Sequence, residues 1–129
     1  WMTVGQLLLH ITTSSGTCFR SFATGDWGMH DGTNSGQLPP AEALPSVSSV
    51  SEAKRLFGED KRIMLDVLAK CGEGRLANET VPAPWDPRPL ILGYRLLQMI
   101  AHLNQHKAQL FYYLKPQGTP VNTSNLWGM

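Results

Sequence analysis

The sequence has few of the features that identify common classes of functional protein. Its 129 residues contain two cysteines, Cys18 and Cys71, and no Cys-x-x-Cys pair, so neither a disulfide framework nor a thiolate metal site is indicated. No apolar run approaches the roughly 18 residues that a membrane-spanning helix needs. The 11 basic and 10 acidic residues give a net charge of +1 without a basic cluster, which argues against nucleic-acid binding through the phosphate backbone.

Motifs for nucleotide binding, acyl transfer and export are also missing. There is no Gly-rich phosphate loop and no serine nucleophile elbow. No basic segment is followed by an apolar stretch and a small-residue cleavage site, so export is not signalled. The two cysteines fall at core-facing helical positions, which predicts buried reduced thiols and suits a cytoplasmic protein. The balanced charge and the lack of a long apolar run predict that neither a nucleic acid nor a membrane is a partner.

What the sequence does contain is helical periodicity. With 42% hydrophobic residues, the chain fits a single domain, 1–129, around one core. Helices are predicted at 3–23, 49–70 and 89–115. The first two begin with Thr or Ser followed three residues later by Gln or Glu, the pattern of a capping box. The sequence therefore predicts an all-α fold.

The apolar positions of each helix repeat with helical spacing and so predict its buried face. The predicted buried residues are Val4, Leu7, Leu8, Ile11, Cys18, Phe19 and Phe22 on the first helix, Ala53, Leu56, Phe57, Ile63, Met64, Val67, Leu68 and Cys71 on the second, and Leu96, Leu97, Ile100, Leu103, Leu110, Phe111 and Leu114 on the third. The segments 24–48 and 73–89, rich in glycine and proline, are predicted loops. The length of the first is typical of a lid or a binding loop.

Three histidines lie on the predicted helices. His102 and His106 are four residues apart and therefore project from one face of the third helix. His10 on the first helix is the candidate third ligand. Polar residues form matching stripes along the first and third helices: Gln6, His10, Ser14, Thr17 and Ser21 on one, and Arg95, Gln98, His102, His106, Gln109 and Tyr113 on the other. Packed together, the stripes would enclose a polar cleft, and helical bundles commonly build metal sites from facing helices.

A plainer interpretation of these histidines stays open, because a His-x-x-x-His pair on a helix is not rare and a His10 among leucines is often a hydrogen-bonded core residue. Three neutral ligands would leave coordination positions free, as in catalytic rather than structural sites. His30 lies in the first loop and is interpreted as a solvated residue unless that loop folds over the cleft.

The other stripe residues carry weaker hypotheses. The candidates for orienting the histidines or contacting a substrate are Gln109, Ser14, Thr17, Tyr113 and Gln98. Metal-bound imidazoles usually have their second nitrogen held by a polar group, but ordinary interfacial polar residues are the alternative, favoured for Gln98. Arg95 is interpreted as solvated.

Several segments resemble the DinB-like family of metalloproteins. Residues 100–111, Ile-Ala-His-Leu-Asn-Gln-His-Lys-Ala-Gln-Leu-Phe, are similar to the family segment that carries its histidine pair, and residues 2–10 resemble the segment that ends in its first metal histidine. Residues 114–118 and 122–128 also look like one branch of the family. The resemblance implies an up-down-down-up four-helix bundle with one divalent ion, zinc or nickel, held by His10, His102 and His106.

The resemblance also implies a range of functions. Relatives include metal-dependent transferases acting on low-molecular-weight thiols, a mycothiol-dependent isomerase and proteins known only as DNA-damage-inducible, and dimers are common. The expectation is therefore a metal-dependent thiol transferase, or a hydrolase, forming a homodimer. The alternative is a non-enzymatic, stress-inducible metal-binding protein. Neither polar stripe holds an acidic residue, so the stripes indicate no general base. A metal-bound nucleophile could do without one, and His30, Asp26 and Asp31 of the loop are the alternative candidates.

The family places another helix before the segment that begins at Thr3, and this chain lacks it. Three helices would leave an apolar face exposed, so the expectation is that the sequence is truncated or that a partner supplies the missing element.

Overall fold

The computed structural model describes residues 2–28 and 40–129. Its elements are helix α1 (Val4–Thr24), helix α2 (Val50–Asn78), strands β1 (Thr80–Ala83) and β2 (Asp86–Ile91), helix α3 (Leu92–Leu114) and the short helix α4 (Thr123–Trp127), with single 3-10 turns at Ala41–Ala43 and Lys115–Gln117. The prediction of a mostly helical protein is confirmed. His30, Asp31 and the middle of the predicted first loop lie outside the described residues.

Helix α1 begins and ends where its sequence indicates. The Thr3 hydroxyl accepts a hydrogen bond from the Gln6 backbone N–H at 3.2 Å, and the Gln6 side-chain oxygen accepts one from the Thr3 N–H at 2.8 Å. The helix ends at Gly25, whose φ of 75° is the left-handed conformation that favours glycine. The Gln6 amide nitrogen also donates to the Leu44 carbonyl at 2.7 Å, which ties the segment before α2 to the first turn of α1.

The sequence predicts that the second helix ends after Lys70 at Gly72, and the helical backbone is indeed interrupted at Gly72, with φ 64° and ψ 168°. What the sequence did not reveal is that a second helical segment follows the kink, so that α2 as a whole reaches Asn78. Beyond the bend, the Arg75 guanidinium donates to the Ala23 carbonyl at 2.9 Å. This contact holds the extension against the last turn of α1.

The segment predicted as the loop 73–89 contains a β-hairpin. Strands β1 and β2 are antiparallel and pair Thr80 with Ile91 and Ala83 with Asp86. Proline density favoured a loop because proline lacks the N–H that a strand ladder uses. In a two-stranded hairpin, however, every residue lies on an edge strand, where an outward-facing N–H has no partner to lose.

Arg95, predicted to be solvated, is 1% exposed. Its Nη1 lies 3.2 Å from an Asp86 carboxylate oxygen. The guanidinium also donates to the backbone carbonyls of Val81, Asp86 and Arg88, so it fastens the hairpin to the first turn of α3. The prediction failed because these acceptors belong to the hairpin, which the sequence did not reveal.

The core forms where α1 packs against both α2 and α3. Its buried members are Phe19, Phe22, Met64, Val67, Cys71, Ala83, Leu92, Leu96 and Met99. Four residues predicted to be buried are instead exposed: Phe57, Leu68, Leu97 and Ile100, at 39%, 37%, 66% and 37%. Leu68, Leu97 and Ile100 line an apolar groove of about 340 Å³ between α2 and α3. Phe57 lines a separate apolar groove of about 400 Å³ together with residues of α1 and α3. The apolar face expected of three helices is thus exposed.

The two cysteines are separate free thiols. Cys71 is buried and Cys18 is half-buried, and burial, with the nearby charge of Asp60, raises the pKa of the Cys18 thiol to about 11. Within the part of the chain that the structure describes, no helix has the length and apolar character needed to cross a bilayer.

Candidate metal centre

The structure brings together the three histidines that the sequence singled out. One ring nitrogen from each of His10, His102 and His106 lies within 4.8 Å of the others. The ring centroids are 4.4 Å apart for the α3 pair, and that of His10 lies 4.6 Å from His106 and 5.3 Å from His102. Ligand nitrogens bound at about 2.1 Å around a tetrahedral ion are roughly 3.4 Å apart. The cluster therefore needs only small rotations of its rings to surround one ion.

Gln109 fixes the hydrogen position on His106. The His106 Nδ1 lies 2.8 Å from the Gln109 side-chain oxygen, which can only accept, so Nδ1 carries the hydrogen and Nε2 keeps a free electron pair. The Gln109 amide nitrogen in turn donates to the Tyr113 hydroxyl at 3.2 Å. The His106 Nε2 faces the His102 Nε2 at 2.9 Å. His106 is thus oriented so that Nε2, the nitrogen with the free electron pair, is directed towards His102.

Two imidazoles of the cluster, those of His10 and His102, have lowered pKa values. Burial, with repulsion from His106 and His102, lowers the pKa of His10 to about 4. Burial and the charge of His106 also lower the pKa of His102. Since metals bind the neutral form of imidazole, these two side chains are ready to act as ligands at pH 7 without first losing a proton.

The other predicted site residues occupy different surroundings. Ser14, half-buried on α1, makes no hydrogen bond through its hydroxyl within residues 2–28 and 40–129. Thr17 is exposed, and its hydroxyl donates to the Thr13 carbonyl of its own helix at 2.9 Å, so the structure places it away from the histidines' hydrogen bonds. Asp26, a candidate base, accepts from the Gly28 N–H at 2.8 Å in the turn after α1.

Sequence reasoning missed a buried carboxyl that sets the spacing between α1 and α2. Asp60 is 3% exposed, and one of its carboxyl oxygens accepts the backbone N–H of Gly16 at 2.9 Å. A signal for it existed, because Asp60 interrupts the apolar arc of α2 at the helical spacing between Ala53 and Met64. The carboxyl anchors α1 six residues beyond His10.

Three convergent imidazoles, two of them with lowered pKa values, suit a divalent first-row metal such as zinc or nickel. In the described residues, no further histidine, cysteine or carboxylate joins the cluster. Comparison of the chain with protein-family models, curated proteins and solved structures finds no match. The side chains of the cluster are therefore the basis for a proposed function.

Proposed function

We propose that the protein binds one divalent metal ion, zinc or nickel, through His10, His102 and His106. The observation that carries the proposal is that these three nitrogens, contributed by two helices, converge within 4.8 Å. Their environment suits the role, since two of the rings have lowered pKa values and Gln109 orients the third.

The proposal extends to the family. We propose that the domain is a DinB-like bundle, because the segments 2–10 and 100–111 that resemble the family supply all three convergent histidines. Relatives are commonly dimers, so the proposal includes a homodimer. Light scattering on the purified protein at micromolar concentration tests it, and a monomer mass would contradict it.

For activity, we propose transfer of a low-molecular-weight thiol to an electrophile, with hydrolysis as the second reaction. A bound metal ion would supply a lowered thiol pKa near neutral pH. Three protein ligands leave coordination positions for a small molecule. In the described residues the cluster of three histidines includes no carboxylate, so no anion of the protein competes with an incoming thiolate there.

Metal content tests the proposal directly. We expect about one equivalent of zinc or nickel in the purified protein by elemental analysis, and loss of that metal in a His102→Ala/His106→Ala double variant. The matched control is Gln105→Ala, an exposed position on the same helix, which should keep the metal. A metal-free wild type after reconstitution with each ion, or a fully loaded double variant, would refute the site.

Turnover then separates the enzyme from its alternative. The metal-loaded protein is assayed with several thiols and electrophiles, and metal-dependent product formation supports the transferase. A loaded protein that produces nothing with any pair would favour the non-enzymatic metal-binding role.

A further inference from the structure

Helices α1 and α3 pack against each other and run antiparallel. At one level His10 of α1 meets His102 and His106 of α3. Farther along α1, the Phe22 ring lies 5.9 Å from the Arg95 guanidinium carbon. Residue numbers therefore rise along α1 while they fall along α3, and residues between these two contacts lie at matching levels of the two helices.

Ser14 and Gln98 occupy equivalent places in this arrangement. Ser14 follows His10 by four residues, and Gln98 precedes His102 by four, so each shares a helix face with its histidine. Because the helices are antiparallel, both lie on the Phe22 side of the histidine cluster, about one helical turn or roughly 5 Å away. Both side chains are half-buried.

Arg95 fixes which end of the Gln98 amide is free. Its Nη1 donates to the Gln98 side-chain oxygen at 3.1 Å. The arginine cannot easily move away, since it is 1% exposed and bonded to Asp86 and to three backbone carbonyls. A carboxamide whose oxygen is engaged presents its NH₂ group. Within the described residues, neither that nitrogen nor the Ser14 hydroxyl donates to a protein acceptor.

We infer that Ser14 and Gln98 form a substrate subsite that binds a carboxylate, so the substrate is a thiol with a carboxylate a few bonds from its sulfur. The inference rests on the proposed function, because the histidine-bound ion would hold the sulfur. Two free donors one turn from the histidines suit an acceptor, and a hydrogen bond to a charged acceptor is stronger than one to a neutral group. An ammonium group would find only the Ser14 oxygen there.

Dissociation constants test the subsite without requiring turnover. The protein is loaded with cobalt(II), and thiol binding is followed by the thiolate-to-cobalt absorption band. We expect 3-mercaptopropionate to bind the wild type about tenfold more tightly than its methyl ester. Gln98→Leu should reduce that preference to about twofold or less. Gln98→Glu, which keeps an oxygen for Arg95 but removes the donor, should lose that preference and should bind 2-mercaptoethylamine more tightly than 3-mercaptopropionate.

The matched control is Gln117→Leu, the same change at an exposed amide outside the cleft, which should keep the wild-type preference. Cobalt content is measured in every variant and should stay near one equivalent. Cobalt-loaded wild type that binds the acid and the ester equally would overturn the subsite while leaving the metal proposal intact. A preference retained in both Gln98 variants would overturn the assignment to Gln98, and failure of the wild type to hold any divalent ion would refute the proposed function.

Discussion

The packing of α1 on α2 at Gly16 leads to a prediction with a defined sign. A Cβ atom on Gly16 would lie 2.6 Å from both the backbone oxygen and a carboxyl oxygen of Asp60, and 3.0 Å from its carboxyl carbon. Contacts this short require the two helices to separate by several tenths of an ångström, because one of the atoms belongs to the backbone. The same movement would break the hydrogen bond from the Gly16 N–H to Asp60.

Two opposing terms set the size of the effect. Replacing glycine by alanine inside a helix favours folding by about 1 kcal/mol. Overpacking costs about 1–3 kcal/mol, and leaving a buried acceptor without its donor costs about 1–3 kcal/mol more. We therefore expect Gly16→Ala to lower the free energy of unfolding by about 1–5 kcal/mol.

Gly58→Ala provides the matched control, since Gly58 is exposed on α2 and its added Cβ would meet nothing within 4 Å. This variant should gain up to about 1 kcal/mol. Urea unfolding followed by circular dichroism, with EDTA present, measures both changes. If Gly16→Ala proved as stable as Gly58→Ala, the close approach at Asp60 would not exist in solution and the reasoning would fail.

Two further predictions follow from the buried groups. Arg95→Met should lower the free energy of unfolding by about 3 kcal/mol, since it leaves the hairpin carbonyls and Asp86 without their donor. The control Arg88→Met, which changes an exposed side chain, should lower it by less than about 1 kcal/mol. Equal losses in the two variants would contradict the role of Arg95. In the metal-free protein, the pKa of His10 is lowered to about 4, so between pH 6.5 and about 4 the unfolded state binds more protons than the folded state. The free energy of unfolding is therefore highest above pH 6.5 and falls by about 2 kcal/mol as the pH is lowered towards 4. His10→Gln should flatten that dependence in urea unfolding at several pH values, and an unchanged slope would exclude the histidine as its source.

The elements defined by local sequence were predicted well. The start of α1 follows from the reciprocal hydrogen bonds of Thr3 and Gln6, which lie three residues apart. The hairpin could not be found this way, because its stability comes from Arg95, nine residues beyond Asp86 and on a different element. Local patterns do not report such tertiary contacts.

The candidate site shows the same division. The spacing of His102 and His106 fixes their common face, and the polar stripes indicated that His10 would join them. The hydrogen bonding of Gln98 could not be predicted, since the sequence shows that an amide is present but not whether its oxygen or its nitrogen has a partner. That depends on the guanidinium of Arg95, whose burial was itself mispredicted.

The two contacts that the sequence did not reveal lie outside the histidine cluster and hold the helices that carry it. Asp60 of α2 holds α1 about 9 Å along the helix from His10, and Arg95 holds the first turn of α3 against the hairpin. The histidines converge only if α1 and α3 keep their relative position, so the proposed metal binding would depend on the same packing as folding. A metal ion present at about 1,000 times its dissociation constant would add about 4 kcal/mol to the stability of the folded state. That gain would be similar in size to the loss expected for Gly16→Ala. EDTA removes it from wild type and variant alike, so the measured difference between them reports the packing at Gly16 alone.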